Sequence, residues 1–257
     1  MVEGLRGVDR DRPEGAQQAA AGQHGGDPGL PGAGHASDQH GAHRCLSSAG
    51  PEDGANEFAV ADIRLGLMVN PTYTVKALDQ STWAAFAALV ERNNGIFGGC
   101  WCMGFHPDLS RTDAAQNRAA KEQRVREGQA HAALVFDEDE CVGWCQFGVP
   151  GEVPRIKNRA AYEKGRTTPP DWRIACCYVG KGHRRQGVAS AALAGALDLI
   201  AGLGAGTVEG YPEDAGSVPA GFLYHGALST YEKLGFIRDR KIGKHRWVVS
   251  RVVEPTS

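Results

Sequence analysis

Residues 174–179, 180–189 and 190–200 read in succession as a strand, a tight basic turn and an apolar helix. Successive backbone N–H groups at such a turn, added to the positive end of the helix dipole, form a cradle for an anion. Gly187 lets the backbone approach a bound group closely, and Ala189 is small enough to do nearly the same. Arg184 and Arg185 add charge that pairs with phosphate oxygens. The turn therefore asks for a ligand that carries a diphosphate. Two common nucleotide patterns do not fit it. G-x-x-x-x-G-K-[ST] is absent, and Gly187 falls too far after Gly180 and Gly182 for G-x-G-x-x-G.

The 257-residue chain divides into unequal parts. Residues 1–67 are rich in Gly, Ala, Gln, His, Asp and Pro and hold few large apolar side chains. Such a segment buries too little surface to offset its ordering entropy, so it is expected to be a disordered low-complexity extension. Residues 68–257 are expected to form the folded domain. The abrupt change near Met68 offers a second reading, in which translation begins there. His24, His35, His40 and His43 with Cys45 match no ligand spacing of an established metal site and belong to the compositional bias. A net charge of −2 gives no pull toward nucleic acid or membrane. No stretch approaches the ~20 apolar residues of a bilayer span, and the start lacks a signal-like basic and apolar pattern. The seven cysteines are an odd number and include the adjacent pair Cys176-Cys177. They fit reduced thiols in a cytoplasmic protein better than a disulfide framework.

From Tyr73 onward the pattern predicts alternating strands and helices. Residues 73–78 alternate as a strand, and Asp79 or Ser81 caps a helix that ends at Asn94-Gly95. Thr112-Asp113 opens a polar helix to Glu127, followed by a hairpin of residues 131–136 and 141–147 across an acidic turn. A long loop over 148–170 carries a short helix near 158–163. Strand 172–179, helix 187–201, strand 207–211, helix 222–234 and strands 236–240 and 246–253 complete the chain. This succession implies a mixed α/β sheet with helices on its faces.

Arg184-Arg185-Gln186-Gly187-Val188-Ala189 resembles the R/Q-x-x-G-x-G/A signature of GNAT acetyltransferases. Tyr231-Glu-Lys-Leu-Gly-Phe236 resembles the same family's Y-x-x-x-G-F, where a helix hands over to a strand. The two motifs come in the family's order with one short strand between them. The resemblance implies a mostly antiparallel sheet of six to seven strands with a splayed central parallel pair, here strands 174–179 and 207–211. It implies acetyl-CoA as co-substrate, with no metal, and an unidentified amine as acceptor. The diphosphate is expected on the backbone of Arg184, Arg185, Gln186, Gly187, Val188 and Ala189. The pantetheine arm is expected along Cys177, Tyr178 and Val179, whose N–H groups also offer an oxyanion site. Tyr231 matches the usual general acid, against the alternative of a core tyrosine. Glu209, on the short strand, is the candidate base, against a purely structural carboxylate. Many relatives have Asn where this chain has Tyr224, and Ser229 is the candidate replacement contact. His183 reads as a surface histidine beside the cradle.

Gly98-Gly-Cys-Trp-Cys-Met-Gly-Phe-His106 and Val208-Glu-Gly-Tyr-Pro212 resemble a poorly characterised bacterial subgroup of the family. Trp101, Phe105 and His106 are thereby acceptor-site candidates, with core packing as the alternative. Cys100 and Cys102 stand too close for paired zinc ligands. Cys141 and Cys145 sit in one strand, where their spacing points both to the same face, and read as buried thiols. The helix with Arg118, Lys121, Arg124 and Arg126 reads as a solvated face, and Glu213 and Asp214 as solvated loop charges. The leading reading is an N-acetyltransferase for a primary amine of a small molecule or peptide, as monomer or homodimer. A non-catalytic acyl-CoA sensor is the alternative.

Overall fold

A computed structural model describes residues 73–107, 113–214, 216 and 223–256. The expected disordered extension over 1–67, with its histidines and Cys45, lies outside the described residues, as do residues 68–72. The described residues belong to the unit Ala61–Ser257.

Seven strands form one sheet: β1 (Tyr73–Ala77), β2 (His131–Asp137), β3 (Glu140–Gly148), β4 (Trp172–Val179), β5 (Gly206–Gly210), β6 (Ile237–Lys241) and β7 (Trp247–Val253). Their order across the sheet is β1-β2-β3-β4-β5-β7-β6. Every neighbouring pair is antiparallel except β4–β5. That parallel pair holds only at Trp172↔Val208 and Arg173↔Glu209. Beyond it β4 runs on to Val179 without β5 beside it, so the sheet opens at its centre. This is the expected mixed sheet with a splayed parallel pair.

Helices cover both faces. On one lies α4 (Val188–Gly202), whose Ala191, Ala192, Ala196, Leu197 and Ile200 pack on Ala133, Val135, Cys145, Ile174 and Val208. On the other lies α1 (Trp83–Arg92), with Phe86, Leu89 and Val90 against Leu134, Phe136 and Trp144. The α1 start is organised by Asp79, whose Oδ1 accepts from the N–H groups of Ser81 (2.8 Å) and Thr82 (3.1 Å). Asp113 caps α2 (Ala114–Arg126) by accepting from Gln116 N–H at 2.9 Å. The short helix expected in the long loop is α3 (Arg159–Lys164).

Three expectations are corrected. The helix expected over 222–234 is only α5 (Leu228–Lys233). Backbone groups just before it pair elsewhere: Tyr224 O accepts from Cys177 N–H at 2.7 Å, and Gly226 O from Glu213 N–H at 3.0 Å. Gly226 itself sits at φ 85°, which no α-helix contains. Cys141 and Cys145 do not share a face. The register of the β2–β3 hairpin shifts at Val135/Phe136, so the strand inserts a residue and Cys141 turns toward Trp144 while Cys145 joins the α4 side. Glu213 is no solvated loop charge but a buried partner of Arg246.

Tyr231 of α5 is locked in place by close approach of the backbone. A Cβ on Gly210 would lie 2.2 Å from its Cε1 and 2.9 Å from its Cδ1, and one on Gly226 would lie 3.0 Å from Cε2. Gly210→Ala should therefore cost about 2 kcal/mol of stability by overpacking, a fall in Tm of roughly 4–8 °C for a domain of this size. Differential scanning calorimetry checks it, with Gly202→Ala as control because no atom lies within 4 Å of a Cβ there. Equal Tm values for the two variants would contradict this packing.

Candidate active site

The turn after β4 begins with a 3₁₀ segment, Lys181–His183, and then takes two residues into the left-handed region, Arg185 at φ 61° and Gly187 at φ 89°. Gly187 is the residue that hands the chain to α4. Gln186 braces the turn, its Nε2 donating to Gly182 O at 2.8 Å. Arg184, Arg185, Gly187, Val188 and Ala189 line a cavity of about 270 Å³ at the helix start, with Thr230 opposite. A second cavity of about 300 Å³ adjoins it, sharing Val179, Arg184, Ala189 and Thr230, and extends along Cys177 and Tyr178. A third, of about 630 Å³, shares Phe97 and Tyr224 with the second and reaches Cys102, Phe105, Cys176 and His225. The three neighbour one another along β4 where the sheet opens, with the Phe97 and Tyr224 rings, 5.9 Å apart, between the second and the third.

The edge is partly used. Cys177 N–H, one of the expected oxyanion donors, is committed to Tyr224 O at 2.7 Å. Alternation along the strand turns the Val179 N–H to the same edge, and that is the donor the open strand offers the cleft.

A profile described as the acetyltransferase (GNAT) family matches residues 99–236, more than half of the chain. The chain belongs to the GNAT acetyltransferase family. Solved structures similar to it include an N-acetyltransferase from Staphylococcus aureus Mu50, at 12% identity over 71% of this chain and 99% of that one, with a TM-score of 0.42. Another is a putative acetyltransferase from Salmonella typhimurium with its cofactor acetyl-CoA, at 15% identity over 72% and 96%, TM-score 0.43. A third is a ribosomal-protein-S18-alanine N-acetyltransferase from Escherichia coli, at 11% identity over 72% and 96%, TM-score 0.40. No curated protein matches the sequence.

In this GNAT chain the remaining candidate residues fall on different sides of the cleft. Tyr231 is 1% exposed, and its hydroxyl donates to His225 O at 3.0 Å. Burial, with the Cys177 and Cys145 sulfurs nearby, holds its phenol well above the ordinary pKa. Ser229 is exposed and is not among the residues lining the cleft; its neighbour Thr230 is. Glu209 is also not among them. Its carboxylate is buried and accepts from the hydroxyls of Tyr162 (2.8 Å) and Tyr211 (2.9 Å), near the Arg173 guanidinium. Occupied in this way, the Glu209 carboxylate, the candidate base, is buried away from the three cavities. His183 stands at the turn with Nδ1 3.7 Å from Asp137 Oδ2.

Of the expected acceptor-side residues, Phe105 lines the third cavity, while Trp101 is buried and stacks on Trp83. His106 is fully buried. Its Nδ1 lies 2.9 Å from Glu152 O, which fixes Nδ1 as the protonated nitrogen and leaves Nε2 to accept. Burial drops its pKa to about 2, so it is neutral. Two groups meet Nε2, the Gln146 side-chain amide at 2.9 Å and Lys121 Nζ at 3.1 Å. This overturns the reading of α2 as a wholly solvated face. Asn117, Lys121 and Val125 recur every four residues and turn inward together. Burial pulls Lys121 down to about 8. Cys102, which lines the cavity, is held below the ordinary thiol value by a hydrogen bond from Cys176, with Lys121 adding to it.

Sequence reasoning missed Lys121, Thr230 and His225. The four-residue spacing in α2 was a usable signal for the first. His225 carried none, because it precedes α5 in a segment read as helix. Among the described residues no group of three or more His, Cys, Asp or Glu is placed to hold a metal ion. No helix among them is long and apolar enough to cross a membrane.

Proposed function

We propose that this chain is an N-acetyltransferase that moves an acetyl group from acetyl-CoA to a primary amine of a small molecule or peptide. The observation that carries the reading is the succession of neighbouring cavities, from a basic helix N-terminus, along the open edge of β4, to one of about 630 Å³. Acetyl-CoA supplies the activated thioester. The turn suits its diphosphate: Arg184 and Arg185 are exposed on the cavity wall, and α4 aims its first N–H groups there. Val179 N–H offers a donor to the thioester end.

The acceptor attacks directly in a ternary complex. Its nitrogen lone pair forms the N–C bond, the C–S bond breaks with its pair going to sulfur, and the surplus amine proton leaves to water. Tyr231 protonates the thiolate from beside Cys177, a residue that lines the second cavity. The catalytic domain is proposed to span residues 68–257, in the cytoplasm, where the six free cysteines among the described residues stay reduced.

Thermal unfolding of the full chain with acetyl-CoA tests the reading. At one hundred times its Kd the ligand should stabilise the fold by about 2.7 kcal/mol, and an Arg184→Ala, Gly187→Glu double variant should lose that gain. No saturable upshift with any acyl-CoA would end the proposal. An upshift without thiol release for any amine would favour an acyl-CoA sensor.

A further inference from the structure

The cavity of about 630 Å³ carries three cationic side chains, Arg155, Lys157 and Arg159, and no carboxylate among the described residues. Arg159 is offset in part by Glu163, with Nε 3.6 Å from Oε1. Among the described residues Arg155 is held by carbonyls, donating from Nε to His106 O and from Nη2 to Pro107 O, each at 3.0 Å. Lys157 has no carboxylate partner among the described residues, and its Nζ lies 5.9 Å from the Tyr224 ring centroid. A cavity of this sign repels a molecule whose only charge is an ammonium and draws one that also carries an anion.

A second observation points to what else the ligand must bring. His225 lines the same cavity at 2% exposure, and neither ring nitrogen meets a hydrogen-bond partner within normal distance among the described residues. The Ala175 backbone is close enough to give its charged form slight support, yet burial keeps the imidazole neutral, at about 3. A neutral imidazole offers one donor and one acceptor, and leaving both unmet in a buried wall is costly. The Tyr224 ring links the two features: its centroid is 4.6 Å from that of His225 and within 5.9 Å of the Lys157 ammonium. One small molecule lying along that ring reaches both.

We propose that the acceptor is a small primary amine bearing a carboxylate, of the α-amino-acid class, with its carboxylate on Lys157 and its amine on His225. The proposal rests on the acetyl-transfer reading and narrows its acceptor. The neutral imidazole accepts an N–H from the amine and orients the nitrogen lone pair for attack. Arg155 and the buried Lys121 ammonium disfavour protonation of that amine, so the nucleophilic form is the one held. Phe105, Ile156 and Tyr224 leave an apolar surface for the acceptor's side chain.

Isothermal titration calorimetry on the full chain tests this, with CoA present and again without it. The probes are a panel of common α-amino acids, each matched with its carboxamide and its decarboxylated amine. At least one acid is expected to bind about tenfold or more tighter than its two neutral-end partners. Lys157→Glu should abolish that preference while leaving CoA affinity within about twofold. His225→Ala should weaken acid, amide and decarboxylated amine alike. Amides that bind as well as acids, or a panel in which no acid binds, would overturn the proposal. A chain that fails to bind CoA itself would instead overturn the acetyl-transfer reading, and the titration without CoA still decides the carboxylate.

Discussion

Tyr231→Phe is expected to lower turnover about 100-fold while leaving the acetyl-CoA KM within about twofold. The hydroxyl is buried, and its raised pKa keeps the proton in place throughout the neutral range. The phenol interacts with Cys177, which lines the second cavity, and this contact links the buried hydroxyl to the thioester end. A 100-fold loss corresponds to about 2.7 kcal/mol of transition-state stabilisation. The same oxygen also donates to His225 O. Its removal leaves a buried carbonyl unpaired, at a cost of about 1–3 kcal/mol in stability. The two roles separate cleanly. A core tyrosine would lower Tm and leave turnover at 25 °C nearly intact, whereas a proton donor lowers turnover in a chain that is still folded and still shifted by acetyl-CoA. Steady-state kinetics beside a melting curve on one preparation reads both. Unchanged turnover would remove the catalytic role.

What the sequence made legible, and what it did not, divides along the range of the forces involved. The turn from Gly180 to Ala189 was readable because its chemistry is local: adjacent N–H groups, two arginines and a glycine at φ 89° act through their own backbone. Strand 172–179 was readable because a buried run bounded by turn residues has few alternatives. Glu209 was not. Its neighbours are Tyr162, 47 residues earlier, and Tyr211, and only the sheet brings Tyr162 to it. The segment before α5 failed for a similar reason. Its Tyr224 carbonyl is claimed by Cys177 of β4, a tertiary bond that no helical propensity anticipates. Lys121 failed because a lysine in a helix of mean polar character ordinarily faces water, and the inward stripe of Asn117, Lys121 and Val125 is short.

That buried lysine yields the second large expected effect. Lys121 is 1% exposed, and burial lowers its pKa from the usual 10.5 to about 8. The unfolded chain binds its proton up to pH 10.5, the folded chain only up to about 8, so between those values the unfolded state holds more protons. Stability therefore rises with pH across that window, and below about pH 8 the charged lysine costs the fold about 3 kcal/mol. The groups around it are His106, Gln146, Arg124, Cys100, Cys102 and Cys176. His106 stays neutral throughout. Cys102, held below its ordinary value, pushes stability in the same direction as the lysine. Lys121→Met removes the ammonium and keeps an unbranched chain of similar length. The difference in unfolding free energy between variant and wild type should move in the variant's favour by about 3 kcal/mol as pH falls from 10.5 to 8, and then stay level. Chemical denaturation of both proteins at matched pH values measures it, since groups remote from Lys121 cancel in the difference, leaving Lys121 and the thiols that feel its charge, Cys100 and Cys102. A difference that does not change with pH would mean that Lys121 keeps its usual pKa, with water or a counter-charge reaching it. Acetyl-CoA binding should survive the substitution, because Lys121 touches no part of the basic turn, while affinity for a carboxylate-bearing amine should weaken as the charge beneath the cavity disappears.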